Sequence, residues 1–213
     1  MNDREEVAEI LINIESIKFS FEKPFTLTSG LKSPVYVDCR KIISHIKERN
    51  IILNLANKYF KKNNITFDIL AGGETAGIPY ASILSEQLQK TMIYIRKKSK
   101  GFGKNQQIEG RFEKGQKSIL IEDLATDGGS KIIFINAMRE AGLIVEDIFV
   151  IFYYDIFELK ATPLGSMNIN IHSLCTWKNI LEVVSANKKF SNLELENIKN
   201  FLFDPESWRK KYG

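Results

Sequence analysis

The chain has 213 residues, 44% of them hydrophobic and 26% charged. That suffices for one well-buried α/β domain spanning 1–213 and is short for two. No apolar run approaches bilayer-spanning length, and the start M-N-D-R-E-E lacks the pattern of a secretion signal, so no membrane partner and a cytoplasmic location are expected. The net charge of +4 gathers between Arg96 and Lys104, which suits a local anion site rather than a nucleic-acid coat. Two Cys and two His without motif spacing make a Cys/His metal centre unexpected, and Cys39 and Cys175 read as reduced bystanders.

In chain order, Val7, Ile10, Leu11, Ile14 and Ile17 recur at helical spacing and predict an amphipathic helix. Phe25 to Asp38, F-T-L-T-S-G-L-K-S-P-V-Y-V-D, reads as two extended pieces about a Ser29-Gly30 turn, with Pro34 opening the second. Ile46 to Phe60 is helical in period, with Ile51, Ile52, Leu55, Tyr59 and Phe60 as its expected buried face. Phe67 to Ala71 forms a short strand that ends in Gly72-Gly73-Glu74-Thr75-Ala76-Gly77, and a helix resumes over Ile78 to Leu88.

Met92 to Arg96 is a further strand, and Lys97 to Lys117 then shows no sustained period, longer than most connections in compact domains. Its run K-K-S-K-G-F-G-K suits a cover that closes over a polyanion, or, in a plainer reading, a solvated basic loop or weak RNA patch. Ile119 to Ile121 reads as a strand buried on both faces of a parallel sheet, with Glu122 and Asp123 at its expected end. From Lys131, Ile132, Ile133, Ile135, Met138 and Ala141 predict a helix closed by Gly142. The turn from Ala125 to Ser130 is therefore a strand-to-helix loop whose open N–H groups suit a phosphate, while the two acids suit hydroxyls or a metal. A ribose 5-phosphate satisfies both halves; an ordinary α/β turn with solvated acids is the plainer alternative. Val145 to Tyr154 and Ile169 to Leu174 read as strands, His172 as a structural residue, Trp177 to Ala186 as a helix, and Ser191 as the cap of a last helix ending before Asp204-Pro205.

I-L-I-E-D-L-A-T-D-G-G-S resembles the phosphoribosyl diphosphate (PRPP) signature of type I phosphoribosyltransferases. G-G-E-T-A-G-I-P resembles the diphosphate loop of that family, and R-K-x-x-K-G-x-G followed by I-E-G its catalytic loop. F-x-L-x-S-G with S-P-x-Y-x-D resembles the N-terminal hood motif of orotate phosphoribosyltransferases. The resemblance runs from Phe25 to Phe157. It implies a mostly parallel central sheet flanked by helices, a small N-terminal hood, a helical C-terminal tail, and transfer of phosphoribose from PRPP to orotate.

It further implies that Glu122 and Asp123 hold the ribose hydroxyls and that Ala125, Thr126, Asp127, Gly128, Gly129 and Ser130 cradle the 5-phosphate. Gly72, Gly73, Glu74, Thr75 and Ala76, with Arg96, Lys97 and Lys100, would meet the diphosphate. Lys100 and Asp123 would be catalytic, and Thr28, Tyr36, Val37 and Thr126 would meet orotate. Mg²⁺ would be held mainly by PRPP, without a dedicated protein ligand. A homodimer with shared active sites is implied, and no nucleic-acid partner. The chain departs from common family residues at Thr28, Ala76, Phe102 and Ile156. Thr28, Ala76 and Ile156 keep open transfer to another nucleobase, Phe102 removes a titratable group from the loop, and the alternative from a different class is a non-catalytic PRPP-sensing regulator on the same fold.

Overall fold

The computed structural model describes residues 2–27, 30–99, 107–126, 128–156, 158, 162–188 and 190–212. Its contacts divide the chain into two compact units, Met1–Glu48 with Cys175–Gly213, and Arg49–Leu174.

The first unit opens with helix α1 (Asp3–Asn13), which starts where the Asn2 side chain accepts the N–H groups of Arg4 and Glu5 while Glu5 accepts that of Asn2. Its buried residues are Val7, Ala8, Leu11 and Ile12. Ile10 is only half-buried, and Ile17 belongs to strand β1 (Ile17–Phe19), so the expected stripe is rotated and shortened. Strands β2 (Phe25–Thr26) and β3 (Lys32–Ser33) pair antiparallel, whereas β4 (Val35–Val37) pairs with β1, Tyr36 opposite Lys18. Pro34 therefore separates two strands with different partners instead of opening one, as suits a residue without an N–H to donate. A 3₁₀ turn over Cys39–Ser44 follows, begun by the Asp38 side chain accepting from the Arg40 N–H.

In the second unit, helix α2 (Ile46–Lys62), nearly all of which lies there, buries Ile52, Leu53, Ala56 and Phe60. Ile51, Leu55 and Tyr59 are half-buried, because the run Ile51-Ile52-Leu53 leaves the helical phase ambiguous by one residue. Strand β5 (Ile69–Gly73), helix α3 (Gly77–Leu88), β6 (Thr91–Ile95), β7 (Ile108–Glu109), β8 (Lys117–Ala125), α4 (Ile132–Glu140), β9 (Ile144–Tyr153), the short α5 (Pro163–Ser166) and β10 (Asn170–Thr176) follow. The strands form one six-stranded sheet in the order β10-β9-β8-β5-β6-β7. β6, β5, β8 and β9 are parallel, and β7 returns antiparallel beside β6. The long connection after β6 is thus not wholly irregular. Two residues of strand are too short to show a period.

Side chains alternate across this sheet. Ala71, Leu120, Ile148 and Val150 pack with Phe134, Ile135 and Met138 of α4. Phe149 faces Phe60 of α2 with ring centroids 4.8 Å apart. Within α4, Ile133 is exposed and Phe134 takes the buried position. The helix closes as expected at Gly142 (φ +93°), with the N–H groups of Gly142 and Leu143 donating to the carbonyls of Arg139 and Met138.

The chain then returns to the first unit with α6 (Trp177–Ala186), α7 (Asn192–Phe203) and α8 (Pro205–Tyr212). Ser191 and Glu194 form the expected capping box of α7. Asp204-Pro205 ends α7 and also starts α8, Asp204 accepting from the Ser207 N–H at 3.0 Å. Proline suits a first helical turn as well as a stop. Cys39 and Cys175 are free and buried, and burial pushes the Cys175 thiol up. Among the described residues no helix is long and apolar enough to cross a membrane.

Candidate active site

Because β5, β6, β8 and β9 run parallel, Gly73, Ile95, Ala125 and Tyr153 end at one edge of the sheet. Open α/β sheets bind ligands at this carboxyl edge. The loops after β5, β6 and β8 carry most of the residues expected from sequence to bind PRPP.

The loop after β5 is crowded by its own protein. A Cβ on Gly72 would stand 2.8 Å from Ile78 Cα, one on Gly77 would overlap the Ile121 carbonyl oxygen, and one on Gly73 would overlap Glu122 Oε1. Close packing on the start of α3 requires Gly72, and close packing on β8 requires Gly73 and Gly77, without invoking a diphosphate. Glu74, an unexpected acid in an anion loop, is turned to the protein: its Oε2 accepts the Lys97 N–H at 2.6 Å. The Glu74–Thr75 peptide is cis. Ala76 caps α3 without a side-chain hydrogen bond. The first N–H groups of α3 thus have no side-chain acceptor from the cap, a setting that favours an anion.

β8 continues through both acids to Ala125 instead of ending before them. It outlasts β5 because β9 supports it, Glu122 lying opposite Val150 and Ala125 opposite Tyr153. Strand geometry sends the two side chains to opposite faces. Glu122 is 4% exposed and turned inward, its Oε2 bound by the ammonium of Lys131, itself 9% exposed. Its Oε1 is buried without a hydrogen-bond partner among the described residues. Burial raises the Glu122 pKa and the Asp123 charge adds to this, against the opposing pull of Lys131 and Lys97. Asp123 is 7% exposed, and its Oδ1 accepts the Leu124 N–H at 2.8 Å.

Beyond Ala125, the Tyr154 N–H donates to its carbonyl at 2.9 Å and ties the root of the loop to the end of β9. Thr126 and Ser130 are exposed, and Gly129 is half-buried. Gly128 has φ +76°, and a Cβ there would overlap Leu164 of α5. A 3₁₀ turn over Gly129–Lys131 leads into α4, again with no side-chain cap. By contrast α1 and α7 are capped by Asn2 and Ser191.

The basic loop is pinned at its roots. Arg96 donates its N–H to the Gln107 carbonyl at 2.8 Å, and the Gln107 amide returns a bond to the Arg96 carbonyl at 2.8 Å. Arg96 Nη1 lies 3.9 Å from Glu109 Oε1, and its Nε is buried without a hydrogen-bond partner among the described residues. Lys97 is exposed, and its charge reaches Glu122. Lys100, Phe102, Asp127 and Thr28 lie outside the described residues. Tyr36 and Val37 belong to the other unit, where Tyr36 packs on Phe25 with ring centroids 5.8 Å apart. Ile156 follows Asp155, which has φ +53°.

Sequence reasoning missed Lys131, Gln107 and Leu164. Lys131 carried a signal, a single lysine opening an apolar helix. Leu164, far along the chain, carried none. Among the described residues no group of three or more His, Cys, Asp and Glu could hold a metal ion.

No family model matches the chain. It is 43% identical over 205 residues to an orotate phosphoribosyltransferase of Ruegeria sp. (strain TM1040), covering 95% of this chain and 91% of that one. Among solved structures, the orotate phosphoribosyltransferase of Aeropyrum pernix superposes with a TM-score of 0.73 at 27% identity, covering 84% of this chain and 98% of that one. The UMP synthase of Leishmania donovani gives 0.75 at 27% identity; the match covers 94% of this chain but only 42% of that longer protein. The sheet with its flanking helices is a type I phosphoribosyltransferase fold, and the chain belongs to the orotate phosphoribosyltransferase family.

Proposed function

We propose that the chain is a pentosyltransferase that moves the 5-phosphoribosyl group of PRPP to a ring nitrogen of orotate, releasing diphosphate and forming orotidine 5′-monophosphate for pyrimidine (UMP) synthesis. The observation that carries this is the family relationship over nearly the whole chain. The loops gathered at the carboxyl edge support this reading. Thr126, Asp127 and Gly128 to Ser130 take the 5-phosphate at the uncapped turn into α4. Asp123 takes the ribose hydroxyls by direct contact, and Glu122 supports it from inside the sheet edge.

Gly72 to Ala76 and the N-terminus of α3 face the diphosphate, with Arg96, Lys97 and Lys100 adding positive charge. Preorganised charge of this kind stabilises a leaving diphosphate more than it stabilises bound PRPP, which is what accelerates the transfer. Mg²⁺ would be carried on the oxygens of PRPP itself, where it neutralises part of the diphosphate charge. A closed basic loop excludes water from the sugar centre, and Asp123 opposes positive charge developing there. By the family resemblance, Thr28, Tyr36 and Val37 are the hood residues that orient the base. The chain works as one cytoplasmic domain in a homodimer, with Lys100 reaching into the neighbouring subunit's site.

The test follows base consumption by purified protein with PRPP and Mg²⁺, offering orotate, uracil, adenine, guanine and xanthine in parallel. Turnover of orotate is expected. Turnover of a purine alone would replace the base assignment, and no turnover of any base would favour a PRPP-sensing regulator.

A further inference from the structure

Lys131 is almost fully buried, and its ammonium sits on Glu122 Oε2. The other oxygen, Oε1, is lodged against Gly73, and a Cβ on Gly77 would come within 3.1 Å of it. One carboxylate therefore touches the turn that follows the 5-phosphate loop and the glycine loop that faces the diphosphate. There is no room for a side chain at Gly73, since Glu122 Oε1 and Cδ and the ring of Phe134 already crowd the place of its Cβ. A buried ammonium with one carboxylate partner is costly to desolvate, so its place here calls for a reason beyond stability.

We infer that Lys131 is a positioning residue for phosphoribosyl transfer: by holding the Glu122 carboxylate against Gly73 and Gly77, it fixes the spacing between the 5-phosphate loop and the diphosphate loop. The inference rests on the phosphoribosyltransferase reading. PRPP is a single molecule whose two phosphate ends meet those two loops, so an error in their separation is felt as weaker PRPP binding more than as weaker base binding. Lys131 acts through Glu122 and does not touch the reacting atoms.

The arrangement also has a pH signature. The charged groups facing Glu122 are Lys131 from the turn before α4, Asp123 beside it on β8 and Lys97 from the loop after β6. Gly73 of β5 and Gly77 of α3 lie against it, and the Phe134 ring of α4 stands beside Gly73. Removing Lys131 removes the strongest influence that keeps the buried Glu122 ionised, so protonation of Glu122 moves to higher pH.

The test compares wild type, Lys131→Met, Lys131→Arg and the double variant Lys131→Met with Glu122→Gln in orotate turnover. KM for PRPP, KM for orotate, kcat and the pH profile of kcat/KM for PRPP are measured, with circular dichroism reporting the fold. Lys131→Met should raise KM for PRPP on the order of ten- to a hundredfold, with KM for orotate changed by about twofold or less. Its acid limb should shift to higher pH, and Lys131→Arg should restore most of both. If Lys131→Met does not fold, the double variant, which removes the buried charge altogether, is read instead. It should keep the raised KM for PRPP and lose the acid-limb contribution of Glu122. A folded variant of either kind with wild-type KM for PRPP and a wild-type acid limb would overturn the role of Lys131. Wild type that turns over no base would overturn the underlying reading instead.

Discussion

The two ends of the central strands treat buried charge in opposite ways. At the amino edge, Asp147 of β9 accepts from His172 Nε2 at 2.9 Å and from the Asn170 amide at 3.1 Å, and Lys117 Nζ stands 3.6 Å away. Lys117 also meets Glu146 at 3.0 Å, and the Tyr59 hydroxyl lies 3.4 Å from His172 Nδ1. Burial opposes ionisation of Asp147, but the bonds from His172 and Asn170 outweigh it and its pKa is lowered. At the carboxyl edge, burial of Glu122 outweighs the ammonium of Lys131 on one of its oxygens and the pull of Lys97, and its pKa is raised. Glu122 Oε1 is the one carboxylate oxygen among the described residues that is buried without a hydrogen-bond partner. The first cluster is satisfied within the fold and serves stability. The second departs from that rule where the family's substrates would bind, as functional sites tend to do.

Substitutions at the two edges should separate these roles. The largest effect is expected for Asp123→Asn, a loss of orotate turnover on the order of 10²- to 10³-fold in steady-state kinetics with little change in melting temperature. Gly73→Ala places a methyl group on Glu122 and should cost about 1–3 kcal/mol in denaturant unfolding and weaken PRPP binding as well, joining both readouts in one residue. Asp147→Asn should cost about 1–3 kcal/mol, because His172 and Lys117 lose their acceptor charge, yet leave KM for PRPP unchanged.

A smaller effect is expected in the pH dependence of that stability. A carboxylate with a lowered pKa contributes stability that is present above its unfolded pKa and is lost as pH falls through its folded pKa. Wild type should therefore lose part of its melting temperature as pH falls below the ordinary carboxylate range, and Asp147→Asn should show a shallower loss. An equal loss in both would assign the acid sensitivity elsewhere.

The strand-loop-helix units were legible because continuous apolar runs such as Ile119 to Ile121 give way to polar and small residues, and a helical period follows. The loops after β5 and β8 were legible as strand-to-helix connections for the same reason. What was not legible depends on partners distant in sequence. The strand reaches Ala125 only because β9 pairs with it there, and β7 exists only beside β6. The lysine that opens an apolar helix marked Lys131 as unusual, but its partner Glu122 lies on another element and became visible only once the turn was folded back. The glycines pointed correctly to close approach, but what approaches Gly73 and Gly77 is β8.

The most direct measurement follows orotate consumption with PRPP and Mg²⁺ by wild type, Asp123→Asn and Asp147→Asn side by side, below the melting temperature of all three. Wild type and Asp147→Asn should consume orotate at nearly equal rates while Asp123→Asn is nearly inactive. Absence of orotate consumption by wild type, or equal activity of Asp123→Asn and Asp147→Asn, would contradict a phosphoribosyl-transfer site at the carboxyl edge of this sheet.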